Sequence, residues 1–227
     1  MQSVVLPLTI MLADLHVHTN LSRDSDMTLA EIQAACRSRG LDCVAITDHN
    51  HLGNALRAPE VLGITVIPGE EIMTAAGEII GYFLSEPVPP GLSPQETVRR
   101  IKAQGGLVCL PHPFDRLRRS RLKTAELKGI LGDVDVIEIA NARTTLARDN
   151  AAAQRFARAH GLPGSAGSDA HTPGEIGRTC LKMAAFASKE QFLESLRGAQ
   201  VLGGQSLPTA HLATAWIKIN KRLRRWR

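Results

Sequence analysis

The chain has 227 residues, with 27 lysines and arginines against 22 aspartates and glutamates, and a formal net charge of +5 at pH 7. Six of these cations lie within the last ten residues, 218–227, which leaves 21 basic and 22 acidic residues in the rest of the chain. This distribution excludes a broadly basic nucleic-acid-binding surface, and a hydrophobic share of 44% excludes a disordered chain. The length fits one α/β barrel domain.

The cysteines and the N-terminal residues indicate the compartment. Four cysteines are scattered singly without a Cys-x-x-Cys pair, which argues against a zinc ribbon or a secreted disulfide framework and predicts buried core residues. Residues 1–12 lack the basic region and the cleavage site of a signal peptide. No apolar run approaches the roughly 20 residues that span a bilayer. We therefore expect a cytoplasmic protein.

Short apolar runs alternate with helical segments and predict seven strands. The runs cover residues 11–17, 43–47, 64–68, 107–110, 134–139, 162–166 and 180–186. Residues 71–74 and 78–84, separated by Ala-Ala-Gly, predict a hairpin after the third strand. Strands that alternate with helices indicate an α/β protein with a mostly parallel sheet.

Four helices are marked by their ends. Capping-box spellings at 28–31 and 93–96 begin two of them, which we expect to end near Gly40 and Gly105. The other two are predicted to end before glycines, and they cover residues 145–160 and 188–197.

Histidines and acidic residues collect where the predicted strands end. They are Asp14, His16, His18, Asp48, His49, Glu70, Glu71, His112, Glu138, Asp169 and His171. No Gly-x-Gly-x-x-Gly and no P-loop follows a strand, so the nucleotide-binding open sheets lack their marker. In a barrel the carboxyl ends of the strands converge on the face that carries the active site, and we therefore favour a barrel.

The spacing of these residues predicts a metal cluster. His16 and His18 lie two residues apart on a strand and project from the same face, and Asp169 and His171 repeat that spacing. Imidazoles combined with carboxylates suit zinc, manganese or iron. The ligands are too many for one ion, and a water shared by two ions loses a proton near neutral pH and becomes a nucleophile. Beyond this metal-bound water, no group is assigned a catalytic role.

Three other histidines are not assigned to the cluster. His160 is predicted to end a helix, where an imidazole interacts well with the helix dipole. His211 belongs to the terminal helix and is expected to be structural or on the surface. His51 lies near the cluster but outside its pattern, and both interpretations stay open.

Five stretches together resemble the PHP superfamily, named for polymerase and histidinol phosphatase. They are ADLHVHTNLSRDS, AITDHN, PGEEI with GEIIGYFL, PHPFDRLR and GSDAH, in the family's order, and they cover residues 14–171. The resemblance implies a distorted seven-stranded (β/α)7 TIM-like barrel with two or three divalent ions, manganese, iron or zinc. It also implies hydrolysis of phosphate esters.

The resemblance further implies a set of site residues. Carried over by motif, the metal ligands are His16, His18, Asp24, His49, Glu71, Glu78, His112, Asp169 and His171. Glu71, rather than the preceding Glu70, would bridge the first two ions. Asp24 and Glu78 stand where some members have histidine, which shifts the preference towards manganese, iron or magnesium. Asp14 and Asp48 would orient the imidazoles.

A phosphate site should also contain a guanidinium group. Candidates are Arg116 and Arg119 after the fourth predicted strand, Arg143 after the fifth, and Arg178 after the sixth. Arg143 is preferred because it follows the strand-end Asn141 by two residues. For residues 116–123 a solvated basic loop is an equal alternative.

Three functions are weighed. The preferred one is hydrolysis of a small-molecule or nucleotide phosphate ester. An amidohydrolase that cuts C–N bonds would use a modified bridging lysine, but Glu71, His112 and Asn141 occupy the ends of the middle strands. The third is an inert metal-stabilised module that docks through its tail to an acidic surface. No dedicated nucleic-acid-binding domain is expected, because no polymerase domain is present and the body of the chain is near neutral.

The basic tail is treated as a separate element. We divide the chain into a barrel, 1–208, and an amphipathic helix, 209–227. Apolar residues recur at helical spacing at Leu212, Ala215, Trp216, Ile219, Leu223 and Trp226. This pattern fits packing on the barrel, contact with a partner, or binding to an anionic membrane. Packing of its first half on the barrel is the simplest expectation.

Overall fold

A nine-stranded sheet curves into a nearly closed barrel that carries helices on its outer side. The computed structural model describes residues 9–206 and 209–224. In chain order the elements are β1 (Ile10–Val17), α1 (Leu29–Arg39), β2 (Cys43–His49), α2 (Gly53–Leu62), β3 (Thr65–Thr74), β4 (Gly77–Tyr82), α3 (Pro94–Ala103), β5 (Leu107–Leu110), α4 (Thr124–Ile130), β6 (Val136–Asn141), α5 (Ala147–Ala159), β7 (Gly164–Gly167), β8 (Thr179–Ala184), α6 (Lys189–Arg197), β9 (Gln200–Gly203) and α7 (Thr209–Arg224).

The strand order is β7-β6-β5-β4-β3-β2-β1-β8-β9. The pairs β1–β2, β2–β3, β5–β6 and β6–β7 are parallel. The four pairings that involve β4 and β8 are antiparallel. A parallel bridge between Val17 and Ala170 brings the chain after β7 back to β1, and the His18 amide donates to the Ala170 carbonyl at 3.0 Å. The carboxyl ends of β1, β2 and β7 therefore meet at one face.

The expected (β/α)7 barrel differs from this sheet in strand number and direction. All seven predicted strands are present, and β3 and β4 form a hairpin, but its first arm, 71–74, continues the predicted third strand instead of following it as a separate strand. The ninth strand, β9, is short and partly exposed, so it lacks the buried apolar run by which the others were found. Half of the strand pairings are antiparallel because β4 runs against β3 and β5, and β8 runs against β1 and β9, and an apolar run does not encode strand direction.

Helices begin and end as predicted where the sequence contains capping residues. Thr28 and Glu31 form the reciprocal capping box of α1, and Gly40 ends that helix in the left-handed region at φ 65°. Ser93 caps α3 by accepting the Glu96 amide at 3.1 Å. Helices α2 and α4 were missed, because neither has a capping side chain at its start.

Two apolar clusters hold the layers together. One joins helix residues such as Ile32, Leu62 and Ile101 to the strand faces that they cover. The other contains strand residues of the opposite face, such as Leu15 and Ile80, together with α6 residues. All four cysteines are buried and unpaired, as predicted.

Helix α7 lies against the barrel with its polar side. Thr214 is buried, and Lys221 Nζ donates to the carbonyls of residues 20, 22 and 25. By contrast, Trp216, Ile219 and Leu223 are 64%, 54% and 59% exposed. These three apolar side chains therefore do not form the contact with the barrel. Leu212 and His211 have side chains outside the described set, and Trp226 lies outside the described residues.

No helix within the described ranges combines the length and the apolar character that a membrane crossing requires.

Gly167, the last residue of β7, permits the closest approach between β7 and β1. A Cβ atom at this position would lie 2.4 Å from His16 Cβ and 2.7 Å from the His16 amide nitrogen. Neither neighbour can move without shifting the β1 backbone, so only glycine fits here.

We expect Gly167→Ala to lower the free energy of unfolding by about 1–3 kcal/mol, because the added methyl group forces β7 away from β1. The control is Gly198→Ala, where among the described residues a Cβ meets no atom within 4 Å. Urea denaturation followed by circular dichroism measures both variants. Equal stability of the two would show that the approach at Gly167 is not tight.

Candidate metal centre and active site

Five imidazoles converge at the carboxyl ends of the strands. They belong to His16 and His18 on β1, His49 at the end of β2, His112 after β5 and His171 after β7. The His18 ring lies 4.5 Å from the His49 ring and 4.3 Å from the His171 ring, measured between centroids. Four of the five residues are buried and His49 is nearly so. Strand ends that lie far apart in the sequence thus build one compact group.

The first part of the group surrounds His16 and His18. Their Nε2 atoms face each other at 3.1 Å. Glu71 Oε2 lies 3.4 Å from each of them, and Asp169 Oδ1 lies at 3.7 and 3.3 Å. Four potential ligand atoms therefore point at one small volume.

The second part shares Glu71 with the first. Glu71 Oε1 lies 3.0 Å from His112 Nε2, and Glu71 Oε2 lies 3.1 Å from His49 Nδ1. Glu78 lies 3.6 Å from both imidazoles. The two oxygens of Glu71 thus serve two groups of ligands, which is the geometry of a bridging carboxylate. Glu70 lies on the other face of β3, where it accepts the Val88 amide at 2.9 Å.

The third part lies nearer the solvent. Asp24 Oδ1 is 3.2 Å from His171 Nε2, and Asp24 Oδ2 is 3.5 Å from His49 Nε2. His18, His49 and His171 also form a potential three-ligand set. The structure therefore gathers all nine residues that the resemblance implied as ligands. His51 is exposed and belongs to none of these sets among the described residues.

The donor atoms fit divalent cations. With metal–nitrogen bonds of 2.0–2.1 Å, two ligands of one tetrahedral ion lie about 3.3 Å apart, close to the separations seen here. Within the described part of the chain, Asp24 Oδ1, Glu78 Oε2 and Asp169 Oδ1 are buried without a hydrogen-bond donor. Buried acceptors without donors are costly, and a cation satisfies them.

Glu138 in β6 orients two of the ligands. His16 Nδ1 donates to Glu138 Oε1 at 2.9 Å, so that a neutral His16 ring would carry its lone pair on Nε2, which faces the cluster. Glu138 Oε2 accepts the His112 amide at 2.7 Å and the Asn141 side-chain amide at 3.0 Å. The sequence placed Glu138 among the acidic residues at strand ends but gave it no role. A single carboxylate inside the apolar strand sequence VIEIAN is the signal that could have identified it.

Asp48 and Asp14 act differently from one another. Asp48 accepts the Ser22 hydroxyl at 2.6 Å, and that hydroxyl accepts His18 Nδ1 at 3.0 Å, so Asp48 orients His18 through Ser22. Asp14 instead accepts the amides of Ser168 and Gly177, both at 2.8 Å. Asp14 also accepts the His16 amide at 3.4 Å, so its observed contacts are with backbone, including that of a candidate ligand, and not with the imidazole ring that the resemblance implied. Its carboxylate points along β1 towards the chain after β7, and burial raises its pKa to about 6.

Burial and neighbouring charges set the protonation of the ligands. Burial, with the positive charges of His171 and His49, lowers the pKa of His18 to about 3 and keeps this imidazole neutral. For Glu71, burial raises the pKa, but the charges of His16 and His49 outweigh burial and hold the pKa well below its usual range. Against the effect of burial, neighbouring carboxylates raise the pKa of His16 well above its usual range and that of His49 to about 9, so a cation bound there would displace their protons. A neutral imidazole and an ionised carboxylate are the forms that bind metals.

Two ligands sit in strained backbone conformations. His112 has φ 32° and Asp169 has φ 53°, and neither is a glycine. Such conformations cost of order 1–3 kcal/mol each and persist where the surrounding structure fixes them, often at functional sites. Here they turn the side chains sharply at the ends of β5 and β7, towards the cluster.

A cavity of about 320 Å³ opens above the cluster. Asp24, His49, Glu78 and His171 form part of its lining. Its cationic lining consists of Arg23, Arg118, Arg143 and Lys218. The centre is thus accessible from a pocket with both signs of charge.

The candidate arginines divide between this cavity and other surfaces. Arg143 lines the cavity, where its guanidinium donates to Glu175 at 3.0 Å and to Thr214 at 2.6 Å. Arg116 pairs with Asp149 and lines a different pocket. Arg119 is exposed and Arg178 half-buried, and the cavity lining contains neither among the described residues.

Arg23 and Arg118 line the cavity but were not among the arginines proposed from the sequence. Of the two, Arg118 contacts a candidate ligand. Its Nη2 lies 2.6 Å from Asp169 Oδ2 and it lines the cavity. Burial lowers the pKa of Arg118, but the negative charges of Asp169, Glu78 and Glu71 raise it by more, so this side chain stays positively charged. The loop 113–121 contains four arginines without helical or strand periodicity, so the sequence alone could not tell which one turns inward.

The barrel and its candidate metal centre are those of a metal-binding α/β protein. Sequence comparison identifies the family. The profile of the PHP domain matches residues 14–156, and a second profile, described as PHP-associated, matches residues 147–201. The chain belongs to the PHP domain family, as its motifs indicated.

Two proteins of Methanocaldococcus jannaschii are similar to the chain. The uncharacterized protein MJ0417 is 36% identical over 197 residues, which are 82% of this chain and 79% of that protein. The uncharacterized protein MJ1587 is 39% identical over 136 residues, which are 53% of this chain and 80% of that protein. Neither name states an activity.

Solved structures share the fold. A two-domain Bacteroides vulgatus protein containing a predicted PHP-like metal-dependent phosphoesterase aligns with a TM-score of 0.68 and 21% identity, over 87% of this chain and 66% of that one. The chain thus spans just under two thirds of that protein. An amidohydrolase from Chromobacterium violaceum, with bound sulfate and no metal, aligns with a TM-score of 0.60 and 18% identity, over 84% and 97% of the two chains. These likenesses show the fold.

We expect Glu138→Gln to weaken Mn²⁺ or Zn²⁺ binding about 10- to 100-fold, because His16 and His112 lose the carboxylate that orients them. Competition with a chromogenic chelator measures the affinity. The matched control is Glu70→Gln, which replaces a buried glutamate on the opposite face of β3 and should bind metal like the wild type. Unchanged affinity in Glu138→Gln would contradict the orienting role.

Proposed function

We propose that the chain is a metal-dependent phosphoesterase that hydrolyses a phosphate ester of a small molecule or nucleotide. The observation that carries the proposal is Glu71, whose two oxygens serve two groups of ligands beneath a cavity lined by cations. Two or three divalent ions, manganese, iron or zinc, would be held by the nine ligands.

When bound, such ions activate a water for attack on phosphorus and neutralise the phosphate oxygens. The chain's own residues supply the rest. The imidazoles and carboxylates fix the positions of the cations, and Glu138 and Ser22 fix the imidazoles. Arg118 and Arg143 line the cavity as buried or half-buried cations, and guanidinium groups match phosphate oxygens. Arg143 is held by Glu175, so its guanidinium is positioned before a ligand arrives.

The amidohydrolase alternative has less support. The positions where that chemistry would require a modified lysine are occupied by Glu71 within β3, His112 after β5 and Asn141 at the end of β6. The cationic lining favours an anionic substrate over a neutral amide. A cytoplasmic location belongs to the same proposal and is supported by the four buried thiols.

We expect the protein purified with Mn²⁺ or Zn²⁺ to hydrolyse an aryl phosphate, and His16→Ala to lower kcat/KM by about 100-fold or more, because a ligand of the centre is removed. The control is His160→Ala, which removes an exposed imidazole at the end of α5. Release of inorganic phosphate measures turnover, and an aryl amide tests the alternative.

Three results would contradict the proposal. Turnover of the amide but not the phosphate would favour the amidohydrolase. Activity that survives His16→Ala would place the reaction elsewhere. Metal binding without turnover of phosphate monoesters or diesters would favour the inert module.

A further inference from the structure

Helix α7 is oriented by its polar residues. Thr214 and Lys218 line the cavity, whereas Trp216, Ile219 and Leu223 are exposed. An amphipathic helix ordinarily buries its apolar side on the protein that carries it. The inverted orientation indicates that contacts of the polar side with the cavity hold this helix in place.

These contacts reach both the arginine and the acidic side of the cavity. Thr214 Oγ1 accepts Arg143 Nη2 at 2.6 Å, so α7 helps to fix that guanidinium. Lys218 Nζ lies 3.0 Å from Asp24 Oδ2. One turn later, Lys221 is tied to the loop that contains Asp24, which holds α7 over the centre.

The side chain of Lys218 is less restrained by ion pairs than those of Arg118 and Arg143. The guanidinium of Arg118 is fixed by Asp169, and that of Arg143 by Glu175 and Thr214, whereas the Lys218 side chain is 47% exposed. Asp24 also lies near His171 and His49 and is one of the nine candidate ligands. A divalent cation on Asp24 would compete with the ammonium group for this carboxylate. Lys218 would then turn towards an anion in the cavity.

We propose that Lys218 is a substrate-binding residue of α7 that contacts an anionic phosphate group of the ligand in the cavity. The cavity volume lies at the lower end of the roughly 300–1,000 Å³ typical of small-ligand sites, so a whole small phosphate ester can occupy it beside α7. The inference rests on the proposed function for the identity of the anion. It makes the basic helix a wall of the site.

The test measures binding as well as turnover in the metal-loaded protein at constant ionic strength. Inorganic phosphate is titrated by calorimetry, aryl phosphate hydrolysis gives KM and kcat, and the metal content of each sample is determined. Lys218→Gln should weaken phosphate binding and raise KM about tenfold, with kcat within about twofold and metal content unchanged, because one charge-assisted hydrogen bond is lost. Lys218→Arg should restore most of the affinity.

The matched control is Arg222→Gln, which removes one positive charge from an exposed position of α7 outside the cavity lining. It should bind phosphate like the wild type. Wild-type affinity in Lys218→Gln would overturn the inference, as would an equal loss in Arg222→Gln, which would indicate a general effect of charge. Loss of metal together with affinity would also overturn it, because Lys218 would then act through Asp24.

The inference and the proposed function can fail separately. If phosphate binding depends on Lys218 but no phosphate ester is hydrolysed, the proposed function fails and the binding role stands. If esters are hydrolysed with unchanged KM in Lys218→Gln, the function stands and the binding role fails.

Discussion

The buried carboxylate of Glu71 is the feature on which the rest of the structure depends. Its oxygens lie 3.4 Å from the Nε2 atoms of His16 and His18, 3.1 Å from His49 Nδ1 and 3.0 Å from His112 Nε2. With Asp24, Glu78 and Asp169, four acids and five imidazoles occupy one largely buried volume. Removing so many polar groups from water costs free energy unless opposite charges and hydrogen bonds compensate. Divalent cations are the natural compensation, and Arg118 supplies a further positive charge beside Asp169.

The barrel fixes the positions of these charged side chains. Gly167 lets β7 approach β1 at His16, and Asp14 ties the chain after β7 to the same strand. Glu138 in β6 spans the distance from His16 to the chain after β5. Buried residues with no direct part in metal binding thus determine where the candidate ligand atoms point, and the nearly closed sheet brings those residues together.

The grouping of the nine candidate ligands could be predicted from the sequence because their motifs place most of them near strand ends. The i, i+2 spacing of His16 and His18 specifies a shared face, and the convergence of strand ends in a barrel supplies the rest. Glu138 was recognised as a strand-end acid but was given no role, because that role depends on His16, which lies 122 residues away. The positions of Arg118 and Lys218 in the cavity were not predicted, for a related reason. Tertiary packing decides which cation of an irregular loop or a basic helix faces the site. In α7 the polar side faces the barrel, which is the reverse of the usual amphipathic pattern.

The most direct test of the central claim is the location of metal ions in crystals grown with Mn²⁺, by anomalous diffraction on either side of the manganese absorption edge. We predict at least two peaks about 3.5–4 Å apart, one on each side of the Glu71 carboxylate, with His16, His18 and Asp169 around the first and His112 beside the second. A single peak away from Glu71, or no peak at full metal loading in solution, would contradict a carboxylate-bridged centre.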